Sequence, residues 1–109
     1  MNPKEKITLT KAQETLLITL YAKAQDNPIL VDSTARQVLD QVNYDFARLK
    51  VPWKTAVTVQ MRAKQMDDYT RRFLASHSKA LVLHLGCGLD SRCRRVDWVG
   101  QGIDWYDLD

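Results

Sequence analysis

An apolar run that stops on two glycines constrains this chain more than any other feature. Leu81-Val82-Leu83-His84-Leu85 has the length and aliphatic content of a buried strand. It halts at Gly86-Cys87-Gly88. Glycines one residue apart let the backbone turn sharply and lie close to a ligand, because neither carries a Cβ. A second short strand, Ile103 to Tyr106, follows and closes in Asp107-Leu108-Asp109. Strand, glycine turn, second strand and acidic end are the parts of the nucleoside-binding half of a Rossmann-like unit. Asp109 stands at the roughly twenty-residue interval after the turn where a carboxylate accepts hydrogen bonds from ribose hydroxyls. The third glycine of the dinucleotide fingerprint and a phosphate-loop lysine are both missing, so a nucleoside without phosphates is favoured over a pyrophosphate. The bland alternative is a tight turn that binds nothing.

Length and composition narrow the classes further. The chain has 109 residues, 45% hydrophobic and 27% charged, an ordinary composition for one small domain. The net charge of +3 is evenly spread and argues for no nucleic-acid partner. Arg71-Arg72 and the group Arg92, Arg94, Arg95 are expected to be solvated helix faces. No apolar stretch is long enough to span a bilayer, and no secretory signal opens the chain. Cys87 and Cys93 are too few for a disulfide framework, and His77 and His84 are not at ligand spacing to them, so no metal site is expected and a reducing, cytoplasmic setting is the simplest reading.

Three helices are expected ahead of the strand. Residues 10–24 carry a Thr10–Gln13 capping box and an apolar face of Leu16, Leu17, Leu20, Tyr21 and Ala24, ended by Asp26-Asn27-Pro28. Asp32 and Ser33 cap a second helix with a stripe of Ala35, Val38, Leu39, Val42 and Phe46. Lys50 to Trp53 is a connector. A third helix from about Thr55 to Ala75 places Met66, Tyr69 and Phe73 on a buried stripe. One turn back on that stripe stands Arg62. A guanidinium there either snorkels to water or pairs with a carboxylate such as Asp67, or it serves as a planar fork for a ligand carboxylate.

Taken together, Asn27-Pro28-Ile29-Leu30 with Asp32, Arg62 in RAKQMDD, LVLHLGCGLDSR and WYDLD resemble the leucine carboxyl methyltransferase family. That family includes protein-phosphatase carboxyl methyltransferases and bacterial O-methyltransferases of polyketide pathways. The order and spacing match from about residue 14 to residue 109. The resemblance implies an α/β fold in which N-terminal helices precede the first β-loop-β part of a Rossmann-like class I methyltransferase sheet. It divides the chain into a helical lid or cap, residues 1–76, and the start of the cofactor-binding domain, residues 77–109. It implies S-adenosylmethionine as cofactor. Arg62 matches the arginine for the methionine carboxylate. Gly86 and Gly88, with Cys87 between them, match the turn lining methionine and ribose, and Asp109 matches the ribose acid. Asp90 matches the aspartate after the turn, expected to organise the loop. No catalytic side chain is expected, and Asp90 and Asp107 are not an acid–base pair. His84 and Cys87 depart from the family's usual small or apolar residues.

The expected reaction is O-methylation of a carboxylate or hydroxyl on a small-molecule acceptor. A two-strand parallel sheet leaves faces and an edge uncovered. The chain is therefore expected to be the opening third of a larger enzyme, either truncated or completed by another chain, inactive alone and prone to self-association through the sheet edge. Two alternatives are a non-catalytic interaction module built on a truncated methyltransferase half and a nucleotide-dependent oxidoreductase fragment.

Overall fold

The computed structural model describes residues 5–6, 11–26 and 29–109. In chain order these form β1 (Glu5–Lys6), α1 (Lys11–Ala24), α2 (Ser33–Gln41), β2 (Val42–Asn43), a 3-10 turn (Phe46–Leu49), α3 (Trp53–Ala75), β3 (Ala80–Leu85), α4 (Arg92–Arg95) and β4 (Ile103–Leu108). Thr10 and the Gln13 side chain of the expected capping box, and the Asn27-Pro28 break, lie outside what is described.

The two expected strands are present and pair in parallel. Ala80 lies opposite Ile103, and the register runs through Leu85 opposite Leu108. The connection between them is a crossover through α4, as parallel pairing requires. Alternation sends Ala80 and Val82 toward a small apolar cluster of Leu74, Val96 and Ile103, closed by Trp98 and Trp105. The opposite face carries Leu81, Leu83, Leu85, Tyr106 and Leu108, all exposed.

A second core lies among the helices. Leu17, Leu20 and Ala24 of α1 meet Ala35 of α2, with Leu39, Tyr44, Phe46 and Leu49 packed around them. Leu16 is half-exposed rather than buried with them, because it faces the glycine turn: a Cβ on Gly88 would stand 3.0 Å from its Cδ2. Helix α2 starts as expected, with the Asp32 carboxylate accepting from the Ala35 N–H at 3.0 Å. It stops earlier than expected. Val42 enters a two-residue strand paired with Glu5–Lys6, and Phe46 begins the 3-10 turn capped by Asp45. The β-branched Val42 suits the extended strand better than a last helical turn.

Helix α3 overturns one expectation. Met66, Tyr69 and Phe73 are 49%, 52% and 47% exposed. The buried face is instead Ala56, Gln60, Ala63, Asp67 and Leu74. Small side chains let α3 approach α1 closely, and Gln60 reaches across to donate to the Ala22 carbonyl at 2.7 Å. Helical period alone cannot distinguish a large apolar stripe from a parallel stripe of alanines and polar residues that pair inside.

Candidate functional site: the glycine turn and its ionic junction

The glycine turn leaves the C-terminal end of β3 with Gly86 at φ +58° and Gly88 at φ +51°. Both angles lie in the left-handed region where a side chain is strained. The turn is tied to the second strand by the Cys87 N–H, which donates to the Leu108 carbonyl at 3.3 Å, and it closes as the Asp90 N–H donates to the Cys87 carbonyl at 2.9 Å. Asp109 follows directly on β4 and is exposed. Cys87 is close enough to the strand end to feel it. Desolvation, then Asp107, Asp109 and Asp90, push its thiol above the ordinary range. Cys93 is raised as well, by desolvation and by Asp107. Neither sulfur is poised as a nucleophile.

Asp90 is held by several cations. Its Oδ1 lies 2.9 Å from Lys23 Nζ and 3.0 Å from Arg95 Nη1, and its Oδ2 lies 3.3 Å from Arg92 Nη2. Burial pushes its carboxyl up, but the Lys23 and Arg95 contacts outweigh that and hold it below the usual carboxylate range. His84 stands beside it on β3, with Nε2 3.2 Å from Arg92 Nη1.

Arg95 is the hub. Its side chain is almost fully buried and grips Asp67 with two nitrogens, Nε to Oδ2 at 2.6 Å and Nη2 to Oδ1 at 3.0 Å. Its third nitrogen meets Asp32 Oδ2 at 2.8 Å as well as Asp90. Burial opposes the charge, yet Asp67, Asp90 and Asp32 hold the guanidinium above its ordinary value. Arg92 Nε adds a 3.0 Å contact to Asp67 Oδ1, and Ser91 Oγ donates to Asp32 at 2.8 Å. Three carboxylates thus face Lys23, Arg92 and Arg95, and the charge is balanced.

The expectation that Arg92, Arg94 and Arg95 are solvated is therefore corrected. Only Arg94 is exposed; its two neighbours turn inward because α4 follows directly on the glycine turn and lies against α3. The suggested Arg62–Asp67 pair is corrected too, since both Asp67 oxygens are taken by Arg92 and Arg95. The available signal was Arg92 and Arg95 three apart on one helical turn, following an aspartate.

Arg62 differs from these arginines. It is exposed, and among the described residues its guanidinium has no ion-pair or hydrogen-bond partner. It lines a cleft of about 250 Å³ between α1 and α3, together with Thr19, Lys23, Val59, Ala63, Met66 and Arg92. Among the described residues no hydrogen bond or ion pair joins Arg62 to the glycine turn, but Lys23 and Arg92 of the same cleft both hold Asp90. A larger groove of about 720 Å³ runs along the outer side of α3, past Met61, Lys64 and Arg72, and touches none of the turn.

A parallel strand pair with a glycine turn at its C-terminal end, braced by helices, defines an α/β chain that offers a ligand the carboxyl ends of its strands. Residues 12–109 match the profile of the leucine carboxyl methyltransferase family, and the chain belongs to that family. It is 47% identical over 109 residues to the tetracenomycin polyketide synthesis O-methyltransferase TcmP of Streptomyces glaucescens, a match covering 96% of this chain and 40% of that protein. It is 39% identical to the S-adenosyl-L-methionine-dependent methyltransferase dpfgK of Gibberella zeae, covering 97% of this chain and again 40% of the relative. A putative S-adenosyl-L-methionine-dependent methyltransferase of Frankia alni is 38% identical over 56 residues, covering 51% of this chain and 19% of the relative. The chain thus spans about two fifths of the length of the first two relatives. No solved structure matches it significantly. No helix among the described residues is long and apolar enough to cross a membrane.

Proposed function

We propose that this chain carries the methionine and ribose side of an S-adenosylmethionine site in an O-methyltransferase acting on a carboxylate or hydroxyl of a small molecule. The observation that carries the reading is Arg62: an exposed guanidinium in a cleft, unpartnered among the described residues, while the neighbouring Lys23 and Arg92 are satisfied by Asp90. A planar fork left open there suits a ligand carboxylate. Gly86, Cys87 and Gly88 would line the ligand with main chain. A side chain at Gly88 would be strained by its φ of +51°, while its Cβ would meet only the tip of the Leu16 side chain at 3.0 Å. Asp109 would accept from the ribose hydroxyls. Residues 1–76 would form the helical cap, and residues 77–109 the start of the cofactor-binding domain.

S-adenosylmethionine, when bound, supplies an activated methyl group. The chain's own task is to bind and orient: Arg62 fixes one end, Asp109 another, and the turn sets the distance between them. Asp90 is committed to three cations, so it positions the turn instead of moving a proton.

Calorimetric titration of S-adenosylmethionine into the whole protein and into Arg62→Met tests the reading. The variant should lose affinity by about 1–3 kcal/mol, the scale of charge-assisted hydrogen bonds, with little change in its melt. Unchanged affinity with lowered stability would assign Arg62 to the fold instead. Asp109→Ala should weaken binding on the same scale.

A second reading is favoured by the exposed sheet face of Leu81, Leu83, Leu85, Tyr106 and Leu108. There the chain would serve as a non-catalytic module that self-associates through the sheet. Light scattering across a concentration series distinguishes a monomer from such an assembly.

A further inference from the structure

A turn built on two glycines with positive φ has little rigidity of its own, since glycine carries the largest backbone entropy to be lost. Something outside the turn must fix it if it is to meet a ligand ready-shaped. We propose that Arg95 is a positioning residue that locks the glycine turn, residues 86–90, onto α2 and α3 by way of Asp90.

The geometry divides the work of one guanidinium. Two of its nitrogens are spent on Asp67, in the middle of α3. The third reaches Asp32, the cap of α2, and Asp90, the last residue of the turn. Asp90 in turn closes the turn through its own N–H to the Cys87 carbonyl. The helices therefore hold Arg95, Arg95 holds Asp90, and Asp90 holds the backbone at Cys87. Lysine cannot reproduce this, because its single nitrogen cannot span the separate positions from which Nε, Nη1 and Nη2 reach the three carboxylates. A buried ion network is also a poor device for stability alone, since apolar residues of similar volume often serve as well or better. What the network supplies is a fixed direction for each group.

Hydrogen exchange by NMR on the whole protein tests this without any ligand. In Arg95→Lys, the amides of Cys87 and Asp90 should exchange at least about tenfold faster, the scale of one lost charge-assisted hydrogen bond. Amides of the β3–β4 ladder should change several-fold less. Asp90→Asn leaves the Arg95–Asp67 grip intact and should show the same selective loosening, so it decides the matter if the arginine variant fails to fold. Equal acceleration in turn and ladder would make Arg95 a stability element and overturn the proposal, as would no acceleration at all. A second arm rests on the cofactor reading: S-adenosylmethionine should bind Arg95→Lys about tenfold more weakly than the parent whole protein. A parent that binds no S-adenosylmethionine would sink the cofactor reading alone, since the exchange result stands without it.

Discussion

Two regions flank α1, and they are held by opposite means. Beneath α1 and α2, Leu17, Leu20, Ala24 and Ala35 close an apolar core in which shape and volume decide the fit. Where α1 and α3 meet the glycine turn, Asp32, Asp67 and Asp90 face Lys23, Arg92 and Arg95, and charge and direction decide it. Packing tolerates exchange of one aliphatic group for another of like volume. A buried ion network does not tolerate the loss of one member, because the partner left behind keeps its charge without its hydration. The demanding region lies beside the cleft with the open arginine. The strictest geometry thus adjoins the proposed ligand site.

The sharpest way to break this contrast is at the hub. Arg95→Met should cost about 3–5 kcal/mol, because the buried carboxylates of Asp32 and Asp67 and the part-buried Asp90 lose their shared partner. Urea denaturation at neutral pH measures it. Leu20→Ala on the other side should cost about 3 kcal/mol through lost transfer energy and a residual cavity. The two differ in kind as well as size. Lowering the pH should narrow the gap between Arg95→Met and the parent, since protonated carboxyls no longer need the arginine, while the Leu20→Ala deficit should stay constant. A pH-independent Arg95→Met deficit would mean that the arginine acts by packing.

Asp90 gives a smaller effect with a definite sign. Its carboxyl is held below the ordinary range in the folded chain, chiefly by Lys23 and Arg95 against the opposing effect of burial. The folded state therefore binds fewer protons than the unfolded state in acid. The resulting stability is present above the ordinary carboxylate value of about 4 and is lost as the pH falls through the folded value. Asp90→Asn should cost about 1–3 kcal/mol at pH 7 and flatten the acid limb of a stability–pH curve. An acid limb as steep as the parent's would mean that Asp90 is not the group behind the acid sensitivity.

What the sequence made legible follows from which signals are local. The β3 strand, the turn at Gly86 and Gly88, and β4 ending in Asp107-Leu108-Asp109 are written in short stretches whose residue types admit few conformations. The Asp32 cap is local in the same way, one side chain and one N–H three residues apart. The ionic junction is not local. Asp32 and Arg95 are 63 positions apart, and no pattern in either neighbourhood names the other. Arg92 and Arg95 looked like solvated charges because a buried arginine and an exposed one have the same sequence signature until the fold supplies the carboxylates. Helix α2 was overextended for a similar reason, since Val42 continues a helical stripe but is claimed by a strand partner far back in the chain.

The smallest effect tests which face of α3 is structural. Met66 repeats with Tyr69 and Phe73 in the manner of a core stripe, yet it is half-exposed, whereas Ala63 beside it is 5% exposed. Met66→Gln should therefore change the stability of this chain by no more than about 0.5 kcal/mol, as at an ordinary surface position. Ala63→Leu should cost about 1–3 kcal/mol, because added methylenes must fit where α3 lies close to α1. If Met66→Gln proved the more damaging, the stripe of large apolar residues would be packed against something in solution, and the outer face of α3 would have to be counted with the core. If the order holds, α3 is anchored by its small and polar side. Met66 is then free to line the cleft beside Arg62, where polarity can change without unfolding the chain.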